Sequence, residues 1–235
     1  MTLLTAINSA QRLLSLPVTT GVVSDGQETQ NLLWELAKRE VAELARRHDW
    51  PELRRTQSFT ASLASLQSAP GKPTDFDRAV PGTFWNRTTD KQILGPLNDQ
   101  EWSLAYGQAV TAAVTQYVMF RHDGLHIYPV PTAADTIAYE YIINTPWETS
   151  GGSALTAPTA DTDVSKLGDE LLLLGLVWRY KQAKDRPYAE DLRNYEMRVQ
   201  QQINASKGAP RVLTIAPPET QWPSEPLIPE TGFGA

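Results

Sequence analysis

Gln116-Tyr117-Val118-Met119-Phe120-Arg121-His122-Asp123-Gly124-Leu125-His126-Ile127-Tyr128 is the stretch on which the reading of the middle of the chain turns. Aromatic and β-branched residues fill both halves, and Asp-Gly between them suits a tight hairpin turn because glycine adopts a positive φ without strain. Ile137, Tyr139, Tyr141 and Ile143 then alternate along one face of a further strand over 136–143. Pro129 and Pro131 have no amide hydrogen to give a ladder, so they limit that edge. The pattern predicts a three-stranded antiparallel meander.

Around this meander the texture stays β-rich over 53–147, where helical periodicity fades and Pro, Gly, Thr and Ser are frequent. Residues 54–60 are a candidate strand, and Ser68-Ala69-Pro70-Gly71-Lys72-Pro73 a loop. Asn98 with Glu101 three residues on is a capping pair for a short helix carrying Trp102.

Helical stripes return on both sides. Leu3, Ile7, Ala10 and Leu14 predict a helix over 2–16, closed by Pro17. Leu33, Leu36, Ala37, Val41, Leu44 and Ala45 predict a second over 26–48, with Ser24 or Asp25 as its cap. Residues 148–163 are expected to form a loose linker. Leu167, Leu171, Leu174 and Trp178 mark a helix over 166–185, with enough extra leucines to imply burial on several sides. Tyr188, Leu192, Tyr195, Val199 and Ile203 mark another over 187–206, begun by Pro187 and stopped by Gly208. None of these helices can bury its stripe alone, so they are expected to meet. The fold class expected is α+β: a helical bundle drawn from both chain ends, a β-meander insertion, and an extended C-terminal arm. Residues 1–208 form the body and 209–235 the arm.

The arm holds Pro210, Pro217, Pro218, Pro223, Pro226 and Pro229, which close it to helix and to central strand. It also holds Leu213, Ile215, Trp222, Leu227, Ile228 and Phe233, more apolar side chains than a solvated tail has reason to keep. Extended at about 3.1 Å per residue it would reach roughly 80 Å. These six residues are the candidate partner-binding set, for a docking protein or a neighbouring subunit. A tail folded back on its own body is the alternative.

Charge and composition narrow the function. With 41% apolar and 20% charged residues over 235 positions, most of the chain should fold. A net charge of −6 argues against a general grip on duplex DNA, which needs a basic face. With no cysteine, disulfides, thiolate metal sites and cysteine nucleophiles are excluded together. Met1-Thr2-Leu3-Leu4 lacks the basic start of a signal peptide, and the longest apolar run, 171–178, is far below the roughly 20 residues of a membrane helix. A soluble protein without membrane contact is expected.

Reactive constellations are scarce. His122 and His126 face each other across the hairpin turn, but no third ligand stands at metal spacing, so no metal is expected. No Gly-x-Ser-x-Gly elbow and no phosphate or dinucleotide loop occurs, hence no catalytic residue and no cofactor is assigned. Asp75 with Asp77, and Asp99 with Glu101, are the carboxylate pairs nearest to a hydrolytic arrangement, and each reads more simply as loop and cap residues. Lys38, Arg39, Arg46, Arg47, Arg54 and Arg55 are the densest basic group. Glu35 precedes Arg39 by four and Glu43 precedes Arg47 by four, the spacing of ordinary helix-surface pairs. Phe84, Trp85 and Trp102 are expected to be core residues, since no basic side chains interleave with them as in a base-stacking groove.

Four segments in order carry a resemblance to the head-to-tail adaptor (tail accessory factor) family of short-tailed phages. Lys72-Pro73-Thr74-Asp75-Phe76-Asp77-Arg78 is similar to that family's Leu-Pro-x-Asp-Phe-x-Arg turn, with Lys72 departing from the usual apolar residue. Ile93-Leu94-Gly95-Pro96-Leu97 followed by Glu101-Trp102 resembles its Pro-Leu and helix segment. Leu125-His126-Ile127-Tyr128-Pro129-Val130-Pro131 resembles its strand ending in Pro-x-Pro, and Ile137-Ala138-Tyr139-Glu140-Tyr141-Ile142 the strand after it, with Trp147 beyond. Asp49-Trp50 at the end of a helix fits as well. The likeness spans about residues 25 to 150, plus the general two-helix ending. It implies a structural virion protein of the head–tail junction, assembled in the host cytoplasm, forming a twelvefold ring beneath the portal protein. Such a ring would extend the DNA channel, pass DNA without specific binding, and dock a tail nozzle or tube protein. A tail-tube or nozzle subunit is the alternative, and a tail-associated cell-wall hydrolase a more distant one.

Overall fold

A computed structural model describes residues 1–23, 26–67, 71–107 and 115–206, and the statements below concern those residues. Helix α1 (Leu3–Leu13) buries Leu3, Ala6, Ile7 and Ala10, and the Thr2 hydroxyl oxygen accepts from the Thr5 N–H as its cap. It ends at Leu13, before Pro17, as Ser15 turns into the left-handed region at φ 56°. Helix α2 (Glu28–Arg47) begins after Gln27, which caps it without a side-chain bond. The cap expected at Ser24 or Asp25, outside the described residues, is therefore not where the helix starts.

A single 3₁₀ turn, Pro51–Leu53, leads into β1 (Arg54–Thr60). There follow β2 (Leu66–Gln67), β3 (Phe76–Ala79), β4 (Trp85–Asn86), β5 (Lys91–Gln92) and helix α3 (Asp99–Gly107). Next come β6 (Tyr117–Arg121), β7 (Gly124–Tyr128), β8 (Thr136–Ile143), β9 (Trp147–Glu148), β10 (Ala154–Leu155) and β11 (Val164–Ser165). Helices α4 (Asp169–Ala183) and α5 (Ala189–Ser206) complete the described chain. Pro187 thus precedes the last helix by two residues instead of beginning it. The chain is a mixed α+β protein with antiparallel sheets.

The hairpin forms, β6 against β7, but its turn is His122-Asp123, and Gly124, at φ 148°, is the first residue of β7, opposite Arg121. The third strand does not join it. Strand β2 pairs with β7, while β8 lies in a separate sheet of order β1-β8-β4-β5, with β3 also on β8. Two causes act together. Pro129 and Pro131 remove donors where the chain leaves the hairpin. And β8 is apolar on both faces, Ala138 and Ile142 being buried as well as Ile137, Tyr139, Tyr141 and Ile143. A strand of that kind belongs inside a sheet. Strand β1 offers it a full register, from Arg54 opposite Ile142 to Thr60 opposite Thr136.

Residues 148–163 are also more than a linker. Strands β10 and β11 flank β9 in a small sheet, and Thr2 bridges to Val164. The buried Asp163 carboxylate accepts from the N–H groups of Thr159 (2.6 Å) and Ala160 (2.8 Å), while its carbonyl takes the Leu3 N–H (2.8 Å). Asp161 accepts from Val22 and Val23, each at 3.0 Å. Two aspartates of ordinary loop composition thereby tie α1 and the segment after it to the approach of α4. Helix α4 packs against α1, α2 and α5, and buries Leu171, Leu172, Leu176, Val177, Trp178 and Tyr180.

Candidate interaction site

Asp75, Phe76 and Arg78 form the joint between helices and sheets. Phe76 stacks on Phe120 (ring centroids 4.6 Å apart) and on Tyr141 (5.9 Å), in the aromatic core around Tyr139, Phe84 and Phe59. The Tyr141 hydroxyl donates to Asp75 at 3.0 Å; burial, helped by that carboxylate, pushes the phenol up to about 12. Arg78 reaches the other way. Its guanidinium donates to Asp49 (2.8 Å) and to the carbonyls of Ala45 (3.1 Å) and His48 (3.0 Å), at the C-terminus of α2. Those carbonyls have no partner in the helix, and the helix dipole favours a cation there. Trp50 donates its indole N–H to the Leu44 carbonyl at 2.7 Å, completing the same end.

Inside the helical layer lies a charged centre that the sequence did not announce. Glu40 of α2 is wholly buried and accepts hydrogen bonds from Arg179 of α4 and the Tyr195 hydroxyl of α5. Arg179 also reaches Glu43 at 2.7 Å, and Arg47 joins Glu43 (2.9 Å) to Glu196 (2.8 Å). Burial raises the Glu40 carboxyl above the ordinary carboxylate range against the pull of Tyr195 and Arg179. Burial works against the charge on Arg179 too, yet its bonds to Glu40 and Glu43 hold it above the usual arginine value. Both Glu40 oxygens are engaged and out of solvent, so no reactant reaches this carboxylate. The centre sets how three helices sit on each other.

The surface carries an apolar patch on and beside α3. Leu104 and Tyr106 are exposed at 66% and 64%, while Trp102 and Ala105 face inward. Leu97, Glu101, Leu104, Ala105 and Tyr117 line a shallow groove of about 230 Å³. Tyr106, about half a turn around α3 from Leu104, lies 4.8 Å from Tyr128. Asn98 and Glu101 hold the start of α3 as the expected capping box, at 2.8 and 2.9 Å. Gly95, at φ 136°, lets the preceding turn lie against Val118, whose carbonyl oxygen would be 2.5 Å from a Cβ there. Exposed apolar side chains beside a groove of this kind suit contact with another protein.

His126 faces Asp123 at 2.9 Å and holds that carboxyl below its usual range, while His122 is exposed. Asp77 pairs with Arg78 (2.7 Å) and Asp75 with Tyr141, so these two carboxylates serve the joint. Glu43 and Arg47 pair as expected, but Glu35 takes Lys38 instead of Arg39. Phe84 and Trp102 are buried as expected, Phe84 stacked on Tyr139 and Trp102 against His126 and Tyr128, while Trp85 is only half-buried, beside Arg87. Leu213, Ile215, Trp222, Leu227, Ile228 and Phe233 lie outside the described residues.

Compared with known families, residues 1–218 match the one described as SU10 adaptor protein. The chain belongs to this phage head-to-tail adaptor family. No curated protein matches it. The family assignment makes the adaptor a structural phage protein and a virion component, and association with portal and tail components follows from that role. The match reaches beyond residues 25–150 and the two-helix ending to take in α1 as well. Among the described residues no helix is long and apolar enough to cross a membrane.

Proposed function

We propose that this adaptor is a structural head-to-tail connector without catalytic activity. It forms a ring, of twelvefold symmetry with its portal, beneath the portal protein; the ring extends the DNA channel and docks the tail nozzle or tube protein. The observation that carries this reading is the family match over residues 1–218. The sealed state of Glu40 and the engagement of Asp75 and Asp77 in the joint support the non-enzymatic part. The net charge of −6 suits a channel that lets DNA pass without holding it. Ring closure needs a heterologous contact, one face of a subunit against a different face of the next. The patch around α3 supplies one apolar face. Leu213, Ile215, Trp222, Leu227, Ile228 and Phe233 give the arm its grip on the portal or a neighbouring subunit.

Electron microscopy of the purified protein mixed with its portal rings tests the reading. The expected image is a second ring stacked beneath the portal, and its loss when the chain is cut after Gly208. A tail-tube or nozzle subunit would leave the portal bare. Clearing of peptidoglycan by the protein, lost on changing a single carboxylate, would replace the connector by a hydrolase.

A further inference from the structure

Asp123 stands in the two-residue turn between β6 and β7, with its side chain 52% exposed. The next residue is Gly124, so no side chain shields the peptide nitrogen that follows the aspartate. An aspartate in this setting is open to one spontaneous reaction. The Gly124 nitrogen attacks Cγ of the protonated Asp123 carboxyl, and the N–Cγ bond forms as the hydroxyl leaves as water, taking the amide hydrogen with it. The product is a cyclic succinimide. Water then reopens the ring on one of two sides. Opening at Cγ restores aspartate, and opening at the main-chain carbonyl leaves the chain running through Cγ, as isoaspartate. The water lost in closure is regained on opening, and no oxidant or second reactant is consumed.

His126 stands against this reaction. Its Nε2 lies 2.9 Å from Oδ1 of Asp123, three residues back along the same hairpin. A hydrogen on Nε2, present in the cation and in one neutral tautomer, is donated to the carboxylate and favours its ionised form. The Asp123 carboxyl is accordingly held below its usual range, first by this bond, with the charges of His126 and Arg121 adding to it. An ionised carboxylate would have to expel oxide instead of water. One tied to a ring is also not free to turn onto the Gly124 nitrogen. The ring itself is fixed in place. It lies on β7 opposite Met119 of β6 and Leu66 of β2, and its side chain is only 13% exposed. Trp102 of α3 meets it edge-on, with centroids 6.4 Å apart.

We propose that Asp123-Gly124 is a site of isoaspartate formation and that His126 is the residue that restrains it. Isoaspartate adds a methylene carbon to the main chain inside a two-residue turn, which disturbs the pairing of Arg121 with Gly124 that closes β6 on β7. Helix α3 rests on this hairpin, through Trp102 against His126 and Tyr128, so its exposed Leu104 and Tyr106 depend on the turn as well. The adaptor's place in the virion gives the restraint its use, because a released particle makes no replacement subunits. The chemistry does not rest on that place. Its test contains no portal, so the two readings fail separately.

The test is ageing of the full-length protein at neutral pH, followed by peptide mapping with enzymatic methylation of isoaspartate. The parent is compared with His126→Phe, which keeps a ring for Trp102 but no donor, and with His126→Gln, which keeps an N–H donor. Asp25-Gly26, the other Asp-Gly pair of the sequence, serves as a reference within each sample. Isoaspartate from Asp123 should form on the order of threefold faster in His126→Phe than in the parent, the scale of one exposed ion pair, with His126→Gln between the two. The rate at Asp25 should be the same in all three proteins. Absence of isoaspartate from Asp123 in every sample, or equal rates in parent and variants, overturns the proposal. So does equal acceleration in both variants, or acceleration shared by Asp25, either of which would trace the effect to a loosened fold.

Discussion

Glu40 is the residue on which the helical layer depends most heavily, because a buried carboxylate is tolerable only while its partners stay in place. Glu40→Ala leaves the Arg179 guanidinium with Glu43 alone and should cost about 3–5 kcal/mol in denaturant unfolding, and the joint change Glu40→Met with Arg179→Leu less than the single one. The sign of the pH effect follows from the raised folded value. The folded state holds the Glu40 proton more tightly than the unfolded chain, so this contribution to stability is complete below the ordinary value of 4.5 and is lost as pH rises through the raised one. Glu43, held low by Arg47 and Arg179 against its own burial, acts in the opposite window: its contribution is present above 4.5 and is lost as pH falls through its lowered value. Unfolding curves of the parent and of Glu40→Gln, compared from acid to neutral pH, should therefore diverge above 4.5 in favour of the variant. Gly175 depends on the same centre. A Cβ there would lie 2.3 Å from the Glu40 carboxyl carbon, which cannot swing aside without breaking its bonds, so Gly175→Ala should destabilise by about 1–3 kcal/mol in the same assay.

At the scale of elements, local pattern served well where the cause was local. Periodic stripes marked the helices, Asp123-Gly124 the hairpin, and Asn98 with Glu101 the start of α3. It failed where an element chooses among distant partners. Strand β8 reads equally well as a third strand of the hairpin or as the centre of another sheet, and only the availability of β1, β3 and β4 decides. Glu40 and Arg179 gave no signal either, being 139 positions apart and each ordinary on its own helix. Arg78 shows how the elements are joined once chosen. Arg78→Ala should loosen the contact between β3 and the end of α2 and cost about 1.5–3 kcal/mol by unfolding. Arg78→Lys should fail to restore it, because a single ammonium cannot reach Asp49 and two carbonyls from one planar fork.

Over the whole molecule, Asp161 and Asp163 connect parts of the chain that lie far apart in sequence. Asp161 receives Val22 across 139 positions, and the Asp163 carbonyl receives Leu3. Asp161→Ala should free the segment after α1 and speed amide exchange at Val22 and Val23 by tenfold or more, on the order of a lost hydrogen bond of 1.5–3 kcal/mol to a charged acceptor. Exchange in β8 should not change. Within the described body the helices hold one another through Glu40, and the sheets are keyed to them by Arg78.

Composition and spacing were enough to mark a mixed α+β chain and the positions of its helices and hairpin, and the order of short motifs carried a resemblance to the adaptor family that the match over residues 1–218 shows. Each of those rests on interactions within a few residues, or on motif order, which a linear text preserves. The pairing of β8, the ordered course of 148–163 and the buried Glu40–Arg179–Tyr195 centre depend instead on which surfaces meet when the chain closes on itself. Burial and hydrogen bonding reward those meetings only after folding, so they leave no periodic trace in the residues that make them.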